Sequence, residues 1–261
     1  MFDALYIGAT GMRAQQSQID TIANNVANLN TSGFRRGLVS FSAVTAAVDA
    51  ASTDPILQAA AASLAGRGAG TLAQITLSTS GGTLQQTSGP LDIAIDGDGF
   101  LEVLRPDGTP AYTRAGSLKL TADGVLATSD GLPLSGNIQI PPDATAIQIG
   151  TDGHVLATIP GESQPVDVGH MDLVTFTNPA GLMSVGANQY VATEDSGAAR
   201  AGTPSQEGRG AIRQGYLESS NVQLVQELTS MMVAQRSFEM NGRVIQAADQ
   251  MMAITNSLYR S

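Results

Sequence analysis

Apolar residues recur at every seventh position through the last 40 residues of the chain: Leu224, Met231, Phe238, Ile245, Met252 and Tyr259. A seam of that period predicts one long heptad helix. The position three further on is small or polar: Glu227, Ala234, Asn241, Ala248 and Thr255. Val233, Met240 and Ile254, with Val244, Met251 and Leu258, widen the apolar arc on the other side. A helix with this much apolar surface needs more than one neighbour, and Met231, Met232, Met240, Met251 and Met252 give it adaptable packing. Periodicity leaves two readings open: a core helix pair, or a pair that completes its packing only in an assembly.

The first 30 residues read as a second amphipathic helix. Leu5, Met12, Ile19 and Val26 fall seven apart, and Ile22 and Leu29 supply the second position of the last two heptads. Asn24, Asn25, Asn28 and Asn30 interrupt this segment, although asparagine costs roughly 0.5 kcal/mol against alanine in a helix. Heptad phase places Asn24 and Asn28 on the flank and Asn25 beside the seam. They form either a solvated polar face or a set of amides that bond neighbouring subunits. Gly33, after Thr31-Ser32, is expected to end the helix, with Phe34 anchoring the exit.

The middle changes period. Leu91, Ile93, Ile95; Leu118, Leu120; Ile147, Ile149; and Val155, Ala157, Ile159 alternate. Asp-Gly pairs at 96–97, 98–99, 107–108, 123–124, 130–131 and 152–153 punctuate them. Period two with such turns predicts an antiparallel β domain. Before it, Asp54-Pro55 opens an expected short helix that ends at Gly66 and places Leu57, Ala61 and Leu64 on one side. The resulting fold class is α+β: long N- and C-terminal helices paired as a coiled coil, with an inserted antiparallel β-rich domain. Residues 1–42 form the N-terminal helix of an inner core domain. Residues 43–89 connect, 90–205 form the β-rich outer domain, and 206–261 return and form the C-terminal helix.

Charge narrows the partners. The net charge is −10, almost all of it between residues 42 and 214, because the two ends are close to neutral. Such an acidic chain lacks the basic footprint that nucleic acid requires. There is no cysteine, so disulfides and thiolate metal sites are excluded. No apolar run approaches the ~20 residues of a membrane span, and the N-terminus does not resemble a cleaved signal peptide. Asp92, Asp96 and Asp98 do not have calcium-loop spacing. His154 and His170 do not form a metal pair at helical spacing. No cofactor and no enzymatic activity are expected.

Two stretches at the ends carry a resemblance. ANNVANLNTSGFRR (Ala23 to Arg36) and GYLESSNVQLVQELTSMMVAQRSFEMNGRVIQAADQMM (Gly215 to Met252) resemble the paired signatures of the rod and hook proteins, the axial proteins of the bacterial flagellum. GPLDIAIDGDGFLEV and VTFTNPAGLMSVGANQYVAT resemble blocks of that family's middle region. Length and the AADQMMAITNSL ending are most similar to the distal rod group, with the proximal rod group as the alternative within the family. A secreted adhesin on a coiled-coil stalk is the alternative outside it. The resemblance implies a structural subunit of the rod in the periplasm, exported without a cleaved signal by the flagellar type III apparatus. It would polymerise with itself into a hollow shaft that carries torque to the hook and passes exported subunits. Its implied partners are the proximal rod proteins, the hook protein and the surrounding P- and L-ring proteins. The implied self-assembly residues are the helical positions named above, from Leu5 to Leu29 and from Leu224 to Tyr259, with Gly33 and Phe34 at the helix exit.

Overall fold

A computed structural model describes residues 2–44, 70–136, 138–162 and 164–258. In chain order the elements are α1 (Phe2–Ala27), β1 (Gly37–Val44), β2 (Gly70–Leu77), β3 (Leu84–Gln86), β4 (Ile93–Asp96), β5 (Phe100–Leu104) and β6 (Pro110–Thr113). There follow β7 (Leu118–Leu120), β8 (Leu126–Thr128), β9 (Ala146–Ile149), β10 (His154–Thr158), β11 (Val166–His170) and β12 (Leu173–Thr175). The last are β13 (Met183–Gly186), β14 (Gln189–Val191), β15 (Arg200–Gly202), β16 (Ala211–Gln214), β17 (Tyr216–Glu218) and α2 (Leu224–Leu258). The expected helix over 54–66 lies outside the described residues.

The chain divides into two units: residues 1–27, 37–76 and 223–261 form one, and residues 28–36 and 77–222 the other. The first holds α1, α2 and the two-stranded β1–β2 sheet. The helices run in opposite directions, since Gly8 lies against Ile245, Gly11 against Asn241, and Asn25 against Glu227. Their approach is close: a Cβ at Gly8 would sit 2.8 Å from Ile245 Cγ1.

The expected fold class is corrected here. The described residues hold only two α-helices and are otherwise mostly strands, spread over six separate sheets. Nor do the helices meet as a coiled coil. The large residues of the expected seam are not the buried line of α2: Leu224 is 42% exposed and Phe238 37%. The buried line runs three positions on, through Glu227, Ala234 and Ala248, at 0%, 1% and 3%. Small side chains bring the two backbones together where knobs-into-holes packing would hold them apart. The heptad period is real, but along the seam it marks Leu224 and Phe238 are exposed and Met231, Ile245 and Met252 only half-buried.

The second unit is built of antiparallel pairs. A six-stranded sheet has the order β13-β14-β6-β5-β12-β15, a three-stranded sheet the order β11-β10-β9, and β4 pairs with β16, β3 with β17, and β7 with β8. All six Asp-Gly glycines have positive φ. Those at 108, 124 and 153 turn the hairpins β5–β6, β7–β8 and β9–β10, as Asp-Gly turns do. Those at 97 and 99 instead carry the chain from β4 in one sheet to β5 in another. The main core gathers Ile93, Leu101, Val103, Leu126, Ile138, Val155, Leu173 and Ile212. A second cluster stacks Phe100, Tyr112, Phe176 and Tyr190 with rings edge to face at 4.8–6.1 Å.

Ala234→Leu forces a large side chain into the close face of α2 and is expected to cost about 1–3 kcal/mol of helix-pair stability. Val233→Ser, at a residue 58% exposed, is expected to cost under about 0.5 kcal/mol. Denaturant unfolding followed by helical circular dichroism measures both.

Candidate functional site

Each unit is tied by a buried polar knot. In the second unit three charged side chains meet away from water: Arg35, Arg114 and Glu218, each no more than 6% exposed. Glu218 lies at the end of β17, Arg114 just past β6, and Arg35 in the segment that leaves α1. Glu218 Oε1 accepts from Arg35 Nη2 at 3.0 Å and from the Gly82 amide at 2.8 Å, and Oε2 accepts from Arg114 Nε at 2.8 Å. Arg114 donates its remaining hydrogens to the carbonyls of Ile95, Gly97 and Gly99 at 2.7–3.1 Å. Its guanidinium also stands 5.8 Å from the Phe100 ring centroid. Arg35 Nη1 donates to the Ser80 carbonyl. Burial, then the neighbouring Arg114 cation, holds the Arg35 guanidinium below its ordinary pKa, and the Glu218 carboxylate opposes that shift. Burial likewise raises the pKa of the Tyr190 phenol.

Backbone bonds close the same knot. The Gly33 amide donates to the Glu218 carbonyl at 2.7 Å. Gly33 has φ +68, and a Cβ there would lie 2.3 Å from the Arg114 carbonyl oxygen, so only glycine fits. Asn221 Oδ1 accepts from the Arg36 amide at 2.8 Å, and its Nδ2 donates to the Ser80 carbonyl at 2.8 Å. A cleft of about 460 Å³ opens beside the cluster, walled by Phe100, Phe176 and Tyr190.

The first unit has the smaller knot. Asn25 is 1% exposed. Its amide donates to the Gly37 carbonyl at 3.0 Å and to Glu227 Oε2 at 3.2 Å, while its oxygen accepts from the Gly37 amide at 2.9 Å. Both polar atoms of Asn25 thus serve contacts within the chain. Asn24 is exposed, and Asn28 accepts from the Thr31 hydroxyl at 3.1 Å.

The other expected site residues divide by burial. Ile22 is buried, and Met12, Ile19, Val26, Leu29, Met231, Ile245 and Met252 are half-buried. Leu224 and Phe238 are exposed, Gly33 is buried and Phe34 half-buried. The side chain of Leu5 and all of Tyr259 lie outside the described residues. Arg35, Arg114, Glu218 and Glu227 were not legible as site residues. Glu227 alone left a trace, as the charged member of the otherwise small or neutral line beside the seam. Neither knot is arranged for catalysis: each carboxylate is held by donors. Among the described residues no group of three His, Cys, Asp or Glu could hold a metal ion, and no helix is long and apolar enough to cross a membrane.

Comparison with known proteins places these features. Residues 5–35 match the family model described as flagella basal body rod protein, 94–157 the flagellar hook protein FlgE/F/G D1 domain, and 213–258 the flagellar basal body rod FlgEFG protein C-terminal region. All three matches are to the class of flagellar rod and hook proteins. The flagellar basal-body rod protein FlgG of Borreliella burgdorferi is 39% identical over 264 residues, covering 100% of both chains. Those of Caulobacter vibrioides and Bacillus subtilis are also 39% identical, covering 98% and 97% of both chains. The chain belongs to the flagellar basal-body rod protein family. It is a structural component of the basal body and not an enzyme.

Glu218→Ala leaves two guanidinium groups buried without their carboxylate and is expected to cost about 3–5 kcal/mol in denaturant unfolding of the second unit. Asn25→Asp sets a second carboxylate against Glu227. Its destabilisation at neutral pH is expected to shrink as the pH falls and the pair takes up a proton, whereas the loss in Asn25→Ala, about 1–3 kcal/mol, does not shrink in that way. Unfolding curves at neutral and acidic pH separate the two.

Proposed function

We propose that this chain is a distal rod subunit that polymerises helically with itself into a rigid hollow shaft. In this reading the shaft lies in the periplasm, carries motor torque to the hook and leaves a channel for exported subunits. It meets proximal rod proteins below, the hook protein above and the P- and L-ring proteins around it. The subunit reaches its place through the flagellar type III apparatus. A heterologous contact that does not close on itself yields such a filament.

The observation that carries this reading is the open apolar face of α2. Val225 is 79% exposed, Met240 66%, Ile254 61%, Val233 58%, Met251 55% and Val244 53%. A row of this kind along a 35-residue helix is far more apolar surface than a soluble monomer presents without use. Burying it between copies supplies the association energy, and the methionines let one surface fit neighbours in slightly different poses. The helical positions from Leu5 to Leu29 and from Leu224 to Tyr259 are the proposed assembly residues, apart from Ile22 and Asn25, which are buried within the chain.

Met240→Asp puts a charge on this face where the monomer tolerates it. We expect the purified variant to keep its unfolding midpoint, to stay monomeric where the parent chain polymerises, and to leave cells non-motile. Ordinary filaments from Met240→Asp would overturn the proposal.

A further inference from the structure

We infer that the β13–β14 hairpin is a second contact surface, seated against another copy of this chain; the inference rests on the polymer reading above. Strand β13 is the edge of the six-stranded sheet, and all four of its residues are exposed. Met183 is 55% exposed and Val185 39%. Among the described residues no strand pairs with the outer side of β13. At the opposite edge, β15, Arg209 lies against Gly202 and donates to the Ala201 carbonyl at 3.3 Å.

Charge selects the occupant. The second unit carries eight Lys and Arg against sixteen Asp and Glu, a net −8. From Leu173 to Thr193 there is no charged residue at all. Two copies of so acidic a unit repel over most of their surface, and the charge-free hairpin is where they approach at least cost. It carries neither the lysine nor the proline that commonly blunts an exposed edge. The register shift between Ser184 and Gly186 breaks the edge as a template for a continuous ladder, so the hairpin offers side chains rather than backbone.

The hairpin is also held stiff. Gly186, Ala187 and Asn188 all have positive φ, at 95, 49 and 55. Asn188 fixes the turn: its carbonyl accepts from Thr113 Oγ1 at 2.9 Å, its Oδ1 accepts from the Tyr190 hydroxyl at 3.1 Å, and its Nδ2 donates to the Ser32 carbonyl at 2.9 Å. A surface already ordered loses little entropy on docking. Two apolar side chains fall well short of the ~800 Å² per partner of a stable pair. The contact therefore acts only as an addition to one made elsewhere, raising the strength of a polymer through linked sites.

Met183→Glu/Val185→Glu in the full chain tests this. The unfolding midpoint should stay at the parent value, and the concentration needed for polymerisation, read by sedimentation, should rise at least tenfold. An unchanged concentration, with Met240→Asp still blocking assembly, would overturn this inference and leave the rod reading standing. If Met240→Asp also polymerised normally, the rod reading itself would fall. Because the chain has no cysteine, Val185→Cys carries a polarity-sensitive dye uniquely. Its emission should shift to the blue on polymerisation, and emission that does not move would count against the contact.

Discussion

One carboxylate, that of Glu218, bridges two guanidinium groups that the fold has taken out of water. Three ions at this depth would be a heavy desolvation load if any donor or acceptor were left over. None of the main ones is. Arg114 spends its hydrogens on Glu218 and on three carbonyls from the β4–β5 crossover, and Glu218 divides its two oxygens among two arginines and a backbone amide. The cluster keeps one positive charge in excess, and the carbonyl dipoles of residues 95, 97 and 99 face it. Apolar side chains of the same volume would serve stability as well. They would not specify position as narrowly, because only a fork of fixed geometry meets these acceptors together.

What the cluster positions is the path of the chain. Residue 35 lies just beyond the first helix, residue 218 just before the second, and residue 114 in the middle of the sequence. Their meeting pins both connecting segments, 28–36 and 219–222, onto the β unit, and Gly33 and Asn221 add backbone bonds to the same place. Asn25 does comparable work within the first unit. Its amide holds the first residue of β1 by both backbone groups and reaches the Glu227 carboxylate on α2. A leucine there would bury more apolar area and hold nothing.

Much of this was legible in sequence, and the failures share a cause. Both helices and the antiparallel character of the middle follow from period and turn chemistry, because those are local. The buried face of α2 did not follow. Size suggested that Leu224 and Phe238 would be inside, whereas the line of Ala234 and Ala248 is inside and Leu224 and Phe238 are exposed. Hydrophobic period reports which face is buried in the final state, without saying whether that burial happens within one chain or between chains. Arg35 and Glu218 were missed for a related reason. Nothing local distinguishes a buried arginine from a solvated one, and their pairing spans 183 positions.

The asparagines of the first helix bring these points together. Asn25 is the poor helix former whose cost is offset, because its amide satisfies a strand end and a buried carboxylate at once. Asn28 serves the helix exit through Thr31, and Asn24 faces outward. One sequence pattern thus contains residues with different duties, and their spacing does not separate them. Depth does. A side chain whose polar atoms are all engaged inside a unit can stabilise that unit but cannot recognise another copy. In the proposed polymer, recognition is left to what remains open: the exposed apolar residues of α2, and a hairpin that carries no charge. In a rod subunit the division is a useful one. Each unit is held by buried polar bonds of fixed geometry, and the surfaces left for neighbours are apolar and tolerant of small differences in pose.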